Sequence, residues 1–323
     1  MCTAISMQNG DHYFGRNLDL DHSYNESVVI TPRNYPFLFR RMSKIDRHYG
    51  MVGMAARVDG YPLYYDATNE CGLSMAGLNF PGNAVYWSEQ SNKDNITPFE
   101  FIPWILCQCV SVDEATKLLG RMNLVNIAFN DAMPLTDLHW IISDAHSSIV
   151  VESGKYGLQV YENAVGVLTN NPDFPYHMRN LMNYAALSPC APDNHLIQHT
   201  DLKLDSLGMG AIGLPGDSTS QSRFVRAVYG KVNSESDKTE HASVSRFFHI
   251  LDSVSVINGC VKNNRKNHKT IYSSCCNTQK GIYYYKTYDN SQISAVTMGN
   301  VDLDSSEIIP FSLITEQQIY YQN

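Results

Sequence analysis

The sequence predicts a mixed α and β protein with mainly antiparallel sheets, an α+β arrangement rather than alternating βαβ units. Three observations point there. Strand-like and helical segments follow one another in blocks, as strands, helices, strands, helices and strands, along the 323 residues. Several strand pairs are separated only by short turn-forming stretches, which suit antiparallel neighbours. Two apolar helical segments in the first half are built to cover a sheet face. No stretch is rich enough in Pro, Gly or Ser to act as a linker, and no internal repeat is present. One domain over residues 2–323 is therefore expected.

The elements follow in chain order. Thr3, Ile5 and Met7 alternate with Ala4 and Ser6, Gln8-Asn9-Gly10-Asp11 is turn chemistry, and His12 to Asn17 reads as the return strand. Asn9-Gly10 is the dipeptide favoured by a type I′ hairpin, whose two central residues need positive φ. Glu26 to Arg33 is a strand that stops at Pro32. Tyr49–Met54, Leu63–Ala67 and Gly72–Asn79 are further strands, the last alternating apolar and small residues as a closely packed strand does. Thr97-Pro98-Phe99-Glu100 carries a cap residue followed by proline at the first helical position. Ser111-Val112-Asp113-Glu114 fits a capping box. Leu138–Ser143 and Ser148–Glu152 form a hairpin around the Asp144–Ser147 turn. Leu158–Glu162 and Val165–Asn170 read as another, joined by Asn163-Ala164. Helices are expected over 177–187, 222–232 and 241–257, and three tyrosine-rich strands over 270–278, 281–288 and 292–298.

Composition narrows the class. A hydrophobic content of 43% suffices for a large core, and 17% charged residues is low for a disordered chain. The net charge of −8 disfavours nucleic-acid binding. No run reaches the roughly twenty apolar residues of a membrane span. The N-terminus has neither a basic region nor an apolar core like those of a secretory leader, so a cytoplasmic location is expected. The eight cysteines are scattered, without the spacing of a disulfide framework or a zinc site, and are expected to be free and mostly buried. Neither His22 nor His139 has a second histidine at ligand spacing, so no metal and no cofactor is expected. The glycine-rich run 208–213 precedes a helix but lacks the Gly-Lys-Ser/Thr ending of a phosphate loop.

Chemistry concentrates at the start. Cys2 follows the initiator methionine, and small second residues favour its removal. The mature chain is then expected to begin at Cys2, with a thiol and an α-amine of pKa about 7.7–8.0 on one residue. Nucleophile and general base would coincide, as in N-terminal threonine enzymes. The hairpin returns Arg16 and Asp19 towards Cys2, where Arg16 would favour the thiolate and Asp19 would hold the amine. Read alone, Cys2 serves equally as an ordinary cysteine at a frayed end, with Arg16 and Asp19 as a surface pair. Asn79 and Asn170 end strands and supply neutral amide donors. Strand alternation lets only one of Asn170 and Asn171 point into a site, and turn-forming before Phe80-Pro81-Gly82 and Asn171-Pro172 is the alternative role. Arg223 opens a helix, where a surface arginine would be the plain alternative. Leu20, Tyr61-Pro62-Leu63 and Phe129 to Leu135 are apolar loop residues suited to packing or to a substrate groove.

Met1-Cys2-Thr3, Tyr13 to Asp19, Gly77-Leu78-Asn79-Phe80-Pro81-Gly82, Leu168-Thr169-Asn170-Asn171-Pro172, Gly213-Leu214-Pro215-Gly216-Asp217 and Ser222-Arg223-Phe224 together resemble the choloylglycine hydrolase family. Within it the chain looks closest to bile salt hydrolases, with penicillin V acylases as cousins. The resemblance runs from Cys2 to the last strands. It implies the four-layer αββα sandwich of N-terminal nucleophile hydrolases, with helices on the outer faces. It also implies an amidase that cleaves glycine- or taurine-conjugated bile salts through a Cys2 thioester. The catalytic roles carry over onto Cys2, Arg16, Asp19, Asn79, Asn170 and Arg223, with Arg16, Asn79, Leu20, Phe129 and Leu135 at the substrate. Asn79 stands where penicillin V acylases of the family typically carry tyrosine. A homotetramer is implied, with no nucleic-acid or membrane partner. The alternatives are a penicillin V acylase or other N-acyl amide hydrolase, and a non-catalytic bile-salt- or lipid-binding protein.

Overall fold

In the computed structural model, which describes residues 1–197, 200 and 205–323, the chain opens on β1 (Cys2–Asn9) and β2 (Asp11–Leu20). β3 (Ser27–Thr31), β4 (Met51–Val58), β5 (Tyr61–Asn69) and β6 (Ser74–Asn79) follow. After β7 (Asp94–Ile96), the first helix starts as a single 3-10 turn, Pro98–Glu100, before α1 (Phe101–Leu106). α2 (Val112–Leu119) is capped by Ser111, whose hydroxyl accepts from Glu114 N at 3.3 Å, and leads to β8 (Met122–Leu124). β9 (Leu138–Ser143), β10 (Ser148–Gly154), β11 (Gly157–Glu162) and β12 (Val167–Leu168) precede α3 (Phe174–Leu181). α4 (Ser220–Asn233) and α5 (Glu240–Asp252) come next. β13 (Val261–Asn263), β14 (Lys266–Asn277), β15 (Ile282–Thr287), β16 (Asn290–Thr297) and β17 (Ile309–Ser312) close the chain.

Two large antiparallel sheets result. One runs β12-β1-β2-β14-β15-β16, with β13 beside β14, and the other runs β11-β10-β9-β6-β5-β4-β3-β17. Side chains alternate across a strand, so a sheet covered on both sides sorts its residues into two cores. In the eight-stranded sheet Val28, Ile30, Val52 and Leu78 join the core shared with β1 and β2. Their neighbours Val29, Met51, Met75 and Trp140 pack instead with Phe101, Ile105 and Leu118 of α1 and α2. Phe174, Phe224 and Phe247, from α3, α4 and α5, pack on the seven-stranded sheet. The layers are therefore helix, sheet, sheet, helix, as the resemblance implies.

Two local expectations are corrected. The β1–β2 turn is not type I′, because only Gly10 has a positive φ (+74°) and Asn9 already pairs with Asp11. Asn9 stays extended, with its amide donating to Ser243 Oγ at 2.7 Å. Turns with two positive φ values lie at Asp59-Gly60 and Asn264-Arg265. The expected hairpin of 158–162 with 165–170 does not form. β11 pairs with β10 in one sheet and β12 with β1 in the other. Asn163 makes the crossing, because its side chain accepts from Gly166 N at 2.9 Å and donates to Val167 O at 3.1 Å. This bend lifts the chain off the first sheet and delivers it beside β1.

Beneath the site, β2 and β14 approach so closely that a Cβ on Gly15 would lie 2.0 Å from Ser274 O. Gly15→Ala must push the strands apart, so we expect a loss of about 3 kcal/mol in urea unfolding. An unchanged midpoint would contradict this contact.

Candidate active site

Register builds the site. β12 pairs antiparallel to β1 with Leu168 opposite Ala4, so two residues further on Asn170 lies level with Cys2. Cys2 itself pairs with Leu18. Asn170 Oδ1 accepts from Cys2 N at 2.7 Å and from Arg223 Nη2 at 2.7 Å. Two donors on one atom identify it as the oxygen and leave the NH2 for other work. One of its hydrogens goes to Asn79 O at 2.7 Å, tying the end of β6 to the opposite sheet. The side-chain amide of Asn79 has no hydrogen-bond partner among the described residues, and Asn79 lines the cavity.

Arg223 is buried, not a surface residue. It lies in the first turn of α4, and its guanidinium reaches Cys2 O, Thr3 Oγ1 (2.7 Å) and Ser218 O (3.1 Å). Burial lowers its pKa below the ordinary arginine value, against the pull of Asp19 and Cys2. The start of α4 is organised by Asp217, which accepts from Ser222 Oγ at 2.6 Å and Thr219 N at 2.8 Å. Those hydrogen bonds bring Asp217 down to about 2. This is the work done locally by the Gly213–Asp217 and Ser222-Arg223 motifs.

Arg16, fully buried on β2, donates through Nη1 to Tyr65 O at 2.9 Å and Gly77 O at 2.5 Å. Its Nη2 is buried and has no hydrogen-bond partner among the described residues. Burial works against its charge, but Cys2, Tyr272, Asp66 and Asp19 prevail and hold it above the ordinary arginine range. Asp66 is anchored behind it by Tyr272 Oη at 2.6 Å and Tyr283 Oη at 2.7 Å, which employs two tyrosines of the last strands. Asp19 Oδ1 accepts from Thr270 Oγ1 at 2.6 Å, while its Oδ2 is buried with no partner among the described residues. Burial raises its pKa, against Arg223, the N-terminal ammonium, the Thr270 hydroxyl and Arg16. Met1 extends β1, its ammonium donating to Asp19 O at 2.8 Å.

Cys2 lines a cavity of about 270 Å³. Leu20, Phe129 and Leu135 line it, as do Arg16 and Asn79, so the cavity gathers all five expected substrate contacts. Leu63 lines it too, but Tyr61 stands behind, its ring 5.8 Å from that of Phe129. Tyr24, Tyr65, Phe99, Ile102 and Trp140 are among the wall residues that were not expected. Phe99, Ile102 and Trp140 sit in apolar runs where nothing distinguishes a wall residue from core.

Asn170 is fixed from behind by Ser220 and His177. Its N–H donates to Ser220 Oγ at 2.8 Å, and its carbonyl accepts from His177 Nε2 at 2.8 Å. His139 bridges Glu152 Oε1 (3.0 Å) and Thr169 O (2.9 Å). A lone histidine carries no sequence signal for such a role. Burial holds His177 neutral, at about 4. The unfolded chain therefore binds more protons between pH 6.5 and 4, and the contribution of His177 is lost as pH falls through that window. From pH 7.5 to 5 the stability difference between wild type and His177→Gln should shrink by about 2 kcal/mol in urea titrations. A constant difference would contradict a neutral His177.

All eight cysteines are free, and five of them are buried, with Cys71, Cys190 and Cys260 exposed. Among the described residues no group of three or more His, Cys, Asp or Glu could hold a metal, and no helix is long and apolar enough to cross a membrane.

Residues 2–311 match the family of linear amide C–N hydrolases known as the choloylglycine hydrolase family. The chain is 53% identical over 324 residues to a bile salt hydrolase/transferase of Lactiplantibacillus plantarum, covering 100% of both. Its fold superposes on the C2A variant of conjugated bile acid hydrolase from Clostridium perfringens with a TM-score of 0.93, at 36% identity and 100% coverage of both chains. A penicillin V acylase from Agrobacterium tumefaciens shares the fold, with a TM-score of 0.76 at 18% identity over 97% of this chain and 91% of that one.

Proposed function

The chain belongs to the choloylglycine hydrolase family of linear amide C–N hydrolases, and on that premise we propose that it hydrolyses glycine- and taurine-conjugated bile acids through a Cys2 thioester. The observation that carries the reading is a mostly apolar cavity with Cys2 in its lining, a polarity suited to a fused-ring acyl group with its amide carbon at the thiol. The printed names of the relatives support the same substrate class.

The mechanism starts with loss of Met1, which converts the Cys2 nitrogen from an amide into an amine of pKa about 7.7–8.0. The amine accepts the thiol proton while Asn170 Oδ1 keeps it oriented, and Asp19 Oδ2 supplies a further acceptor. Arg16 Nη2 is available to the thiolate. Cys2 Sγ forms its bond to the amide carbon, and the oxygen takes the negative charge. Asn79 and the remaining Asn170 N–H serve as its donors. The C–N bond then breaks as the α-ammonium returns its proton to the departing glycine or taurine. Water, deprotonated by the same amine, attacks the thioester and releases the bile acid. We further place the enzyme in the cytoplasm as a homotetramer. Leu196, Leu207 and Ile212, 85%, 100% and 72% exposed, offer apolar surface for assembly.

A substrate panel tests the reading. Glycine or taurine release from bile-acid conjugates should exceed phenoxyacetate release from penicillin V, and the intact mass should lack Met1. Preferred release of phenoxyacetate would assign a penicillin V acylase. Full activity with Met1 retained would remove the α-amine from the mechanism.

A further inference from the structure

One wall of the cavity is an irregular connection, residues 126–137, between β8 and β9, and it contributes Phe129, Met133 and Leu135. Its ends are held. Asn126 N donates to Trp87 O at 3.1 Å, and Tyr86 Oη donates to Thr136 O at 2.9 Å. Its middle folds on itself, with Met133 N donating to Asn130 Oδ1 at 2.8 Å. Among the described residues, the one hydrogen bond reaching 128–135 from outside is Arg40 Nη2 to Phe129 O, at 2.8 Å.

Arg40 is well placed for this contact. Its guanidinium lies 5.5 Å from the Phe129 ring centre and 5.8 Å from that of Phe99, and the two rings meet edge to face at 5.1 Å. Its own backbone N–H donates to Glu100 Oε1 at 2.5 Å, and Glu100 Oε2 accepts from Thr97 N at 3.1 Å. The buried Glu100 thus fixes the base of Arg40 to the turn that carries Phe99, while the guanidinium clamps Phe129 against that ring. An apolar segment with so few bonds to the scaffold opens readily unless something holds it.

We propose that Arg40 is a positioning residue that sets acyl-group selectivity by pinning the Phe129 wall of the cavity against Phe99. The proposal rests on the reading of this cavity as the acyl site. A fused-ring acyl group needs the whole wall, whereas a small acyl group sits near Cys2 and does not reach it. Arg40 is exposed and is not among the residues that line the cavity, so its substitution spares fold and chemistry.

The test compares wild type, Arg40→Ala and Arg40→Lys on two glycine amides, one of a fused-ring bile acid and one of phenylacetic acid. A hydrogen bond and an exposed cation–π contact together are worth about tenfold. KM for the fused-ring amide should therefore rise about tenfold in Arg40→Ala, with kcat held and the phenylacetyl KM unchanged. Arg40→Lys, which keeps a cation over the rings, should recover part of it. Amide hydrogen exchange across 128–135 should accelerate to a similar degree in Arg40→Ala without any substrate. Equal shifts for both amides, or unaltered exchange, overturn the proposal. Accelerated exchange in an enzyme that does not hydrolyse the fused-ring amide would leave the pinning intact and sink the substrate assignment instead.

Discussion

Cys2→Ala is expected to bind conjugated bile acids and not turn them over, and Cys2→Ser to turn over very slowly. Serine keeps the α-amine and the hydrogen bond to Asn170 Oδ1 but offers a much weaker nucleophile. Removal of a hydrolase nucleophile costs roughly 10⁶ in kcat where it has been measured, so a loss of about 10⁴–10⁶ is expected here. Neither change should alter the fold, because Cys2 pairs through its backbone with Leu18 and its side chain lines a cavity. Calorimetric titration with a conjugated bile acid, alongside product release, makes the check. Substantial turnover by Cys2→Ala would remove Cys2 from the chemistry. Thiol alkylation adds a second readout. Burial pushes Cys109 and Cys276 up to about 12 and Cys107 and Cys275 well above the ordinary thiol range, so those four should stay unlabelled. Exposed Cys71, Cys190 and Cys260 will label, so activity loss must be correlated with Cys2 peptides and not with total label.

Arg223→Met should be the most damaging change that leaves the nucleophile in place. It strips a donor from Cys2 O, Thr3 Oγ1 and Asn170 Oδ1 together. It also removes the positive charge that opposes the burial of Asp19 most strongly. Breaking a buried charge arrangement from one side costs about 3–5 kcal/mol. With Asn170 released, Cys2 loses its alignment, and misplacement by about 1 Å costs about 10² in rate. We therefore expect a urea midpoint lowered by that stability loss and kcat reduced about 10²-fold or more in the molecules that remain folded. Arg223→Lys should fall between wild type and Arg223→Met, since one ammonium with three donors cannot span the four acceptors held by the planar guanidinium. A Met variant with native stability and rate would show that the network is dispensable.

Much of the architecture was legible in advance because the hydrophobic period of a strand and the caps of a helix are local properties. β9 and β10 follow from their alternation around the Asp144–Ser147 turn, and Ser111 caps α2 as its spacing predicts. Strand partnership is not local. Val165 to Asn170 alternates as a hairpin return should, yet β12 joins the opposite sheet, because Asn163 folds its side chain over the connection and lifts the chain out of plane. The Asn9-Gly10 turn shows the same limit at smaller scale, since dipeptide chemistry favours two positive φ values and Ser243 on α5 holds Asn9 extended instead.

For the site, residue type alone left Cys2, Arg16, Asp19, Asn79, Asn170 and Arg223 each with an ordinary structural alternative, and it was the resemblance of the motifs that carry them that singled them out. Residue type could not say which atoms meet. That Asn170 presents its oxygen to Cys2 and Arg223, and not its amide, follows from two donors converging on one atom across 168 and 53 residues of separation. The burial of Arg223, the His177 and Ser220 support behind Asn170, and the hold of Arg40 on Phe129 likewise depend on packing between distant segments. Local sequence determines which chemistry the chain carries and which segments are strands or helices. The docking of two sheets determines which of those groups face each other, since a hydrogen bond between residues far apart in sequence exists only once the layers have closed.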